Sequence, residues 1–111
     1  MSIVMNLYYT GTHGNARKFA EEMRASGTVD LIRNEEGNQR YAYFLPVDDP
    51  ETVLLVDIWR DQQAIDRHHA SPMMETILRL RKKYNLTVRA ERYVTDEAGI
   101  PEADAPFLKA K

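Results

Sequence analysis

Residues 52–59, Thr-Val-Leu-Leu-Val-Asp-Ile-Trp, hold eight consecutive positions dominated by β-branched, aliphatic and aromatic side chains, with no glycine or proline among them. Such a run reads as a strand. Alternation places Leu54, Val56 and Ile58 on one face and Val53, Leu55, Asp57 and Trp59 on the other, so both faces are apolar apart from Asp57. Upstream, residues 39–47 (QRYAYFLPV) predict a second strand, with Tyr41, Tyr43 and Leu45 on one side and Ala42 and Phe44 on the other. The intervening Asp48-Asp49-Pro50-Glu51 is a tight connection, which makes the two strands an antiparallel hairpin.

Toward the C-terminus, Asp61 can cap a helix whose inward side carries Ala64, Ile65 and His68. Ser71-Pro72 restarts a helix, with Ser71 as N-cap, Pro72 at the first helical position, and a buried stripe of Met73, Ile77, Leu80 and Tyr84. Residues 86–94 (LTVRAERYV) predict the last strand. Toward the N-terminus, residues 2–10 (SIVMNLYYT) predict the first, with Val4, Asn6 and Tyr8 on one face and Ile3, Met5, Leu7 and Tyr9 on the other. After the turn at Gly11 to Gly14, Asn15 is the expected N-cap of an amphipathic helix carrying Ala16, Phe19, Ala20 and Met23, ended by Ser26-Gly27. Residues 28–36 predict a short second helix before the turn at Gly37-Asn38.

The order strand, helices, hairpin, helices, strand predicts an α+β fold of ferredoxin-like type, an antiparallel sheet with helices on one face. Residues 1–95 form the expected domain and residues 96–111 a C-terminal tail with Phe107-Leu108 as its apolar anchor. The strands are apolar on two faces while the helices suffice for one. A bare apolar face marks an interaction surface, so a homodimer packed through the open sheet face is expected.

The chain has 111 residues, 43% hydrophobic and 29% charged, the composition of one ordinary globular domain. It contains no cysteine, which excludes disulfides, thiolate catalysis and thiolate-held metals. A net charge of −2 gives no broad positive field for nucleic acid. The basic run Arg79, Arg81, Lys82 and Lys83 reads as the solvated end of a helix. No apolar run approaches the ~18 residues of a membrane span, and the first residues show no secretory pattern. A cytoplasmic protein without nucleic-acid or membrane partners is expected.

Candidates for chemistry are His68, His69, Asn6, Trp59, Asp57, Tyr8, Tyr41 and Tyr43. Adjacent helical residues diverge by ~100°, so His68 and His69 cannot enter one pocket, and Ala64 and Ile65 place His68 nearer the helix–sheet seam. A histidine there suits base catalysis near neutral pH, with half-buried structural packing as the plain alternative. Asn6 is either bonded within the core or, on an inward face, positioned to hold a substrate carbonyl or phenolate. Trp59 fills core space or stacks on a ligand, and Asp57 is a buried carboxylate or a residue near the sheet rim. The histidines lack the spacing of metal ligands, and nucleotide loops are missing, so no metal and no cofactor is expected.

Asn34-Glu35-Glu36-Gly37-Asn38 before a tyrosine-rich strand, then Val56-Asp57-Ile58-Trp59-Arg60-Asp61, Ala64-Ile65, His68 and Ser71-Pro72, resembles the antibiotic biosynthesis monooxygenase family of dimeric α/β-barrel proteins over residues 2–95. The chain departs from the pattern in having Asp57 where Glu is common and Met73 where a second His often stands. The resemblance implies a pocket between helices and sheet, and oxidation of phenolic or quinol-like aromatic substrates by molecular oxygen without metal or flavin. It implies His68 as base or orienting group, Asn6 as hydrogen-bond donor to an oxyanion, and Trp59 with Tyr8 or Tyr41 stacked on the ring. A haem-degrading branch of the family matches at Asn6 only, since His68 and Leu78 stand where its Trp and axial His would be. An isomerase of the same superfamily, or a non-catalytic small-molecule-binding or regulatory dimer, are the alternative readings.

Overall fold

The computed structural model describes residues 1–108; the last three residues of the expected tail lie outside the described residues. The elements run β1 (Ile3–Thr10), α1 (Asn15–Ala25), α2 (Thr28–Arg33), β2 (Asn38–Phe44), β3 (Thr52–Trp59), α3 (Gln62–His69), α4 (Met73–Lys83), β4 (Thr87–Val94) and a 3₁₀ helix, Glu102–Phe107. The four strands form one antiparallel sheet in the order β2-β3-β1-β4. This is the expected ferredoxin-like α+β topology, and the sheet is open, with β2 and β4 at its edges.

The helices pack on the face that carries Ile3, Tyr9, Val53, Leu55, Asp57, Trp59 and Tyr41, all buried. Phe19, Met23, Ile32 and Leu80 close the core from the helix side, each fully buried. The opposite face of β3, with Leu54, Val56 and Ile58, is only half-buried, and Phe44 and Tyr93 are exposed. A register shift between Asn38 and Arg40 leaves Gln39 as an extra residue in β2. That bulge sets which side the tyrosines take. Asn38 pairs with Trp59, yet Tyr41 pairs with Asp57 and Tyr43 with Leu55, so both rings turn toward the helices.

Two expected caps are replaced by other contacts. The helix α1 begins at Asn15 with Gly14 in the cap position, and the Asn15 amide instead donates to the Tyr84 carbonyl at 3.2 Å. Ser71 makes no side-chain cap for α4; its hydroxyl donates back to the His68 carbonyl at 2.7 Å, locking the end of α3. The expected helix over residues 28–36 stops at Arg33, and Leu45, expected to extend β2, lies beyond it and is exposed. In the 3₁₀ helix of the tail no residue is buried, and Phe107, the expected anchor, is 85% exposed.

Gly37 shapes the entry to β2. Its φ of +87° is left-handed, its carbonyl accepts from the Arg60 N–H at 2.8 Å, and a Cβ there would lie 2.6 Å from that of Ala64. Only glycine lets the β2 turn press this closely on α3.

Candidate active site

His68 sits in the last turn of α3. Asp61 starts that helix by accepting the Ala64 N–H at 2.8 Å, and the helical period then turns Ala64, Ile65 and His68 together into the core. His68 is 4% exposed. Its Nδ1 lies 2.7 Å from Oε1 of Glu35, which is brought in by the loop between α2 and β2. A carboxylate accepts here, so Nδ1 carries the proton and Nε2 is the basic nitrogen. This is the arrangement in which a carboxylate fixes tautomer and orientation while the far nitrogen remains available to a substrate. Burial pulls the imidazole below its ordinary value, and the Glu35 carboxylate opposes that fall.

Trp59, the last residue of β3, stacks on His68 with ring centroids 4.7 Å apart and a 30° tilt. Tyr41 meets the imidazole edge-on at 6.4 Å, and Tyr43 meets Tyr41 edge-on at 5.9 Å. Asp57, across the strand pair from Tyr41, is 5% exposed, and its Oδ1 has no hydrogen-bond partner. Burial pushes its carboxyl up to about 7, the Trp59 indole opposing and the Glu35 charge adding to the rise. The hydroxyl of Tyr43 is likewise buried without a partner. Burial also raises Tyr9, to about 12, and Tyr41, so these phenols stay protonated. Buried polar atoms normally find partners, so these two orphans in one layer are exceptions that the surrounding side chains leave unmet.

Four of the expected residues, His68, Trp59, Tyr41 and Asp57, therefore meet on the helix-covered face. Asn6 and Tyr8 do not join them. Asn6 pairs in register with Val56 and Glu91, on the opposite side of the sheet, where its Oδ1 is buried and unpartnered. Tyr8 lies on that side too, under the Arg89 guanidinium at 4.2 Å. The sheet itself separates them from the imidazole, so Asn6 and His68 share no pocket. Tyr43, also named among the candidates, joins the cluster through Tyr41. Glu35 was not among the expected site residues, and its signal was the acidic residue that opens the hairpin motif. Among the described residues no group of three or more His, Asp or Glu side chains gathers as metal ligands would, and no helix is long and apolar enough to cross a membrane.

These features define an open-sheet ferredoxin-like domain with a carboxylate-held histidine stacked on a tryptophan beneath its helices. A family model described as antibiotic biosynthesis monooxygenase matches residues 1–80, and the chain belongs to that family. No curated protein matches the chain significantly. Among solved structures it is similar to a conserved protein from Methanosarcina mazei, with 16% identity over 86% of this chain and 94% of that one at a TM-score of 0.74. It is similar to PA3566 from Pseudomonas aeruginosa, with 22% identity, 85% and 93% coverage and a TM-score of 0.71. A third is SnoaB from Streptomyces nogalater, described as a cofactor-independent oxygenase, with 16% identity, 86% and 94% coverage and a TM-score of 0.66. At these identities the likeness is one of fold.

Proposed function

We propose that the protein is a monooxygenase that oxidises a phenolic, quinol or polyketide-like aromatic substrate with molecular oxygen and needs no bound metal or flavin. The observation that carries the reading is the buried His68–Glu35 pair beside the unpartnered Asp57 carboxyl. Family membership and the likeness to a cofactor-independent oxygenase support it. Dioxygen is a triplet and reacts slowly with closed-shell molecules, so the substrate must first become an electron donor. His68 Nε2 takes the phenolic or benzylic proton, with Glu35 stabilising the imidazolium. The resulting anion gives an electron to oxygen, and the radical pair combines at carbon as a hydroperoxide. Loss of water then leaves a carbonyl, so that an anthrone plus O₂ yields an anthraquinone plus H₂O, with every electron drawn from the substrate. Trp59 and Tyr41 flank the imidazole as stacking surfaces. Asp57, held near half-protonation at neutral pH, can donate a hydrogen bond to the developing oxyanion.

The test is oxygen uptake with anthrone and a naphthohydroquinone, using metal-stripped protein and subtracting autoxidation. Uptake lost in His68→Ala supports the reading, and full uptake in that variant refutes it. The near-complete burial of His68 favours one alternative, a non-catalytic binding dimer, which predicts saturable ligand binding without uptake.

The working unit we propose is a homodimer joined through the open sheet face. Support comes from Val4, Leu54, Val56 and Ile58, which no helix covers, with Phe44 41% and Tyr93 53% exposed beside them. Sedimentation as a stable monomer at micromolar concentration would refute it.

A further inference from the structure

A cavity of about 560 Å³ opens between α1, the end of α2 and β2. Its charged lining is Arg17, Glu21 and Arg24 from one face of α1 and Arg33 from α2, so three guanidiniums face one carboxylate. The excess is local, because the whole chain carries −2. Those cations are not consumed by neighbours. Among the described residues Arg17 and Arg24 form no ion pair, and the only ion contact of Arg33 is to Asp30 at the 4.0 Å limit. Arg33 is also held in place, since its Nε donates to the Tyr41 carbonyl at 3.0 Å, which leaves the terminal nitrogens to point elsewhere. The inner wall is Tyr43, with Leu45 beside it. The Tyr43 hydroxyl is the buried orphan noted above, and the same ring packs on Tyr41, which in turn packs on His68.

A flat aromatic wall and a rim of uncommitted guanidiniums together select a planar ligand with an acidic group. A volume near 560 Å³ is that of an ordinary small-molecule site, roughly 300–1,000 Å³. Guanidiniums favour carboxylates because the fork of N–H donors matches two oxygens at once. We infer that this cavity binds an aromatic carboxylic acid, the ring against Tyr43 and the carboxylate at Arg17, Arg24 and Arg33. His68 does not line this cavity, and two aromatic rings, Tyr43 and Tyr41, lie between them, so the acid is the ligand of a site separate from the imidazole.

The experiment is calorimetric titration of the intact protein with 1-hydroxy-2-naphthoate and, as a matched neutral probe, 1-hydroxy-2-naphthamide. The acid should bind at least tenfold more tightly than the amide and weaken further between low and physiological salt. Arg17→Gln and Arg24→Gln should each weaken the acid by about three- to tenfold and leave the amide unchanged. Arg92→Gln, on the edge strand β4 at the opposite side of the sheet from β2, should bind both probes like the unaltered protein. Equal binding of acid and amide, unchanged acid affinity in both cavity variants, or an equal loss in Arg92→Gln would each overturn the assignment.

Discussion

Replacing Asp57 with asparagine isolates the energetic consequence of burying a carboxyl with an unpartnered oxygen. The folded-state value of about 7 lies above the ordinary 3.8, so the folded protein binds more protons than the unfolded chain between those values. Stability therefore falls with rising pH in that window: the contribution is fully present below pH 3.8, declines through neutrality, and is lost above about 7. The raise is about three units, and at ~1.4 kcal/mol per unit the full swing is about 4 kcal/mol. Most of it, about 2.5 kcal/mol, falls between roughly pH 5 and 8. Asparagine is nearly isosteric and does not titrate, so Asp57→Asn should lose this slope. Urea unfolding can be followed by the sole tryptophan, Trp59, which is 1% exposed and stacked on His68. The difference between the two proteins is the decisive quantity, because His68, whose lowered value gives a slope of opposite sign, contributes to both and cancels. Asp57→Asn should gain on the unaltered protein by about 2.5 kcal/mol from pH 5 to 8, with m unchanged. A constant difference across that range would refute the reasoning.

His68→Ala should lower kcat/KM for oxygen uptake by about 10²–10⁴-fold while an unchanged far-UV circular dichroism spectrum shows the fold intact. In the unaltered protein kcat/KM should rise with pH as His68, held below its ordinary value, sheds its proton, and fall again as Asp57 ionises around pH 7; Glu35→Gln, which removes the charge that props His68 up, should shift the rising limb to lower pH and reduce the maximum. Gly37→Ala should destabilise by about 1–3 kcal/mol in thermal unfolding, because the new methyl meets Ala64 Cβ at 2.6 Å on a left-handed backbone. Val56→Asp, in the middle of the bare face, should halve the sedimenting mass without unfolding the protomer.

The fold was legible wherever local pattern and tertiary outcome agree. Residues 52–59 alternate as a strand because alternation there is the packing itself, and Asp61, Ala64, Ile65 and His68 behave as a capped, periodic helix should. Caps failed where a better partner lay far away in sequence: the Asn15 amide reaches the Tyr84 carbonyl, and no local rule foresees it. The bulge at Gln39 is equally silent, although it decides that Tyr41 faces Asp57. The site was half legible for a related reason. Parity along β1 correctly groups Asn6 with Val4 and Tyr8, but both faces of that strand are apolar, so nothing local states which one the helices cover.

That partition makes one last prediction. The helix-covered face gathers the ionisable cluster around His68, and the bare face gathers Asn6, Tyr8, Arg89 and Glu91. If Asn6 held a reacting oxyanion, its removal would cost orders of magnitude in rate. From the far side of the sheet it cannot touch a substrate at His68. Its buried, unpartnered Oδ1 instead weakens a surface that is otherwise fit for a second copy. Asn6→Leu should therefore keep kcat/KM for oxygen uptake within about twofold, since no group at the imidazole changes, and should tighten self-association measured by sedimentation as an apolar side chain replaces the orphan acceptor. A fall in uptake matching that of His68→Ala, with the dimer unaltered, would place Asn6 back in the chemistry and require the substrate to bind across the open face.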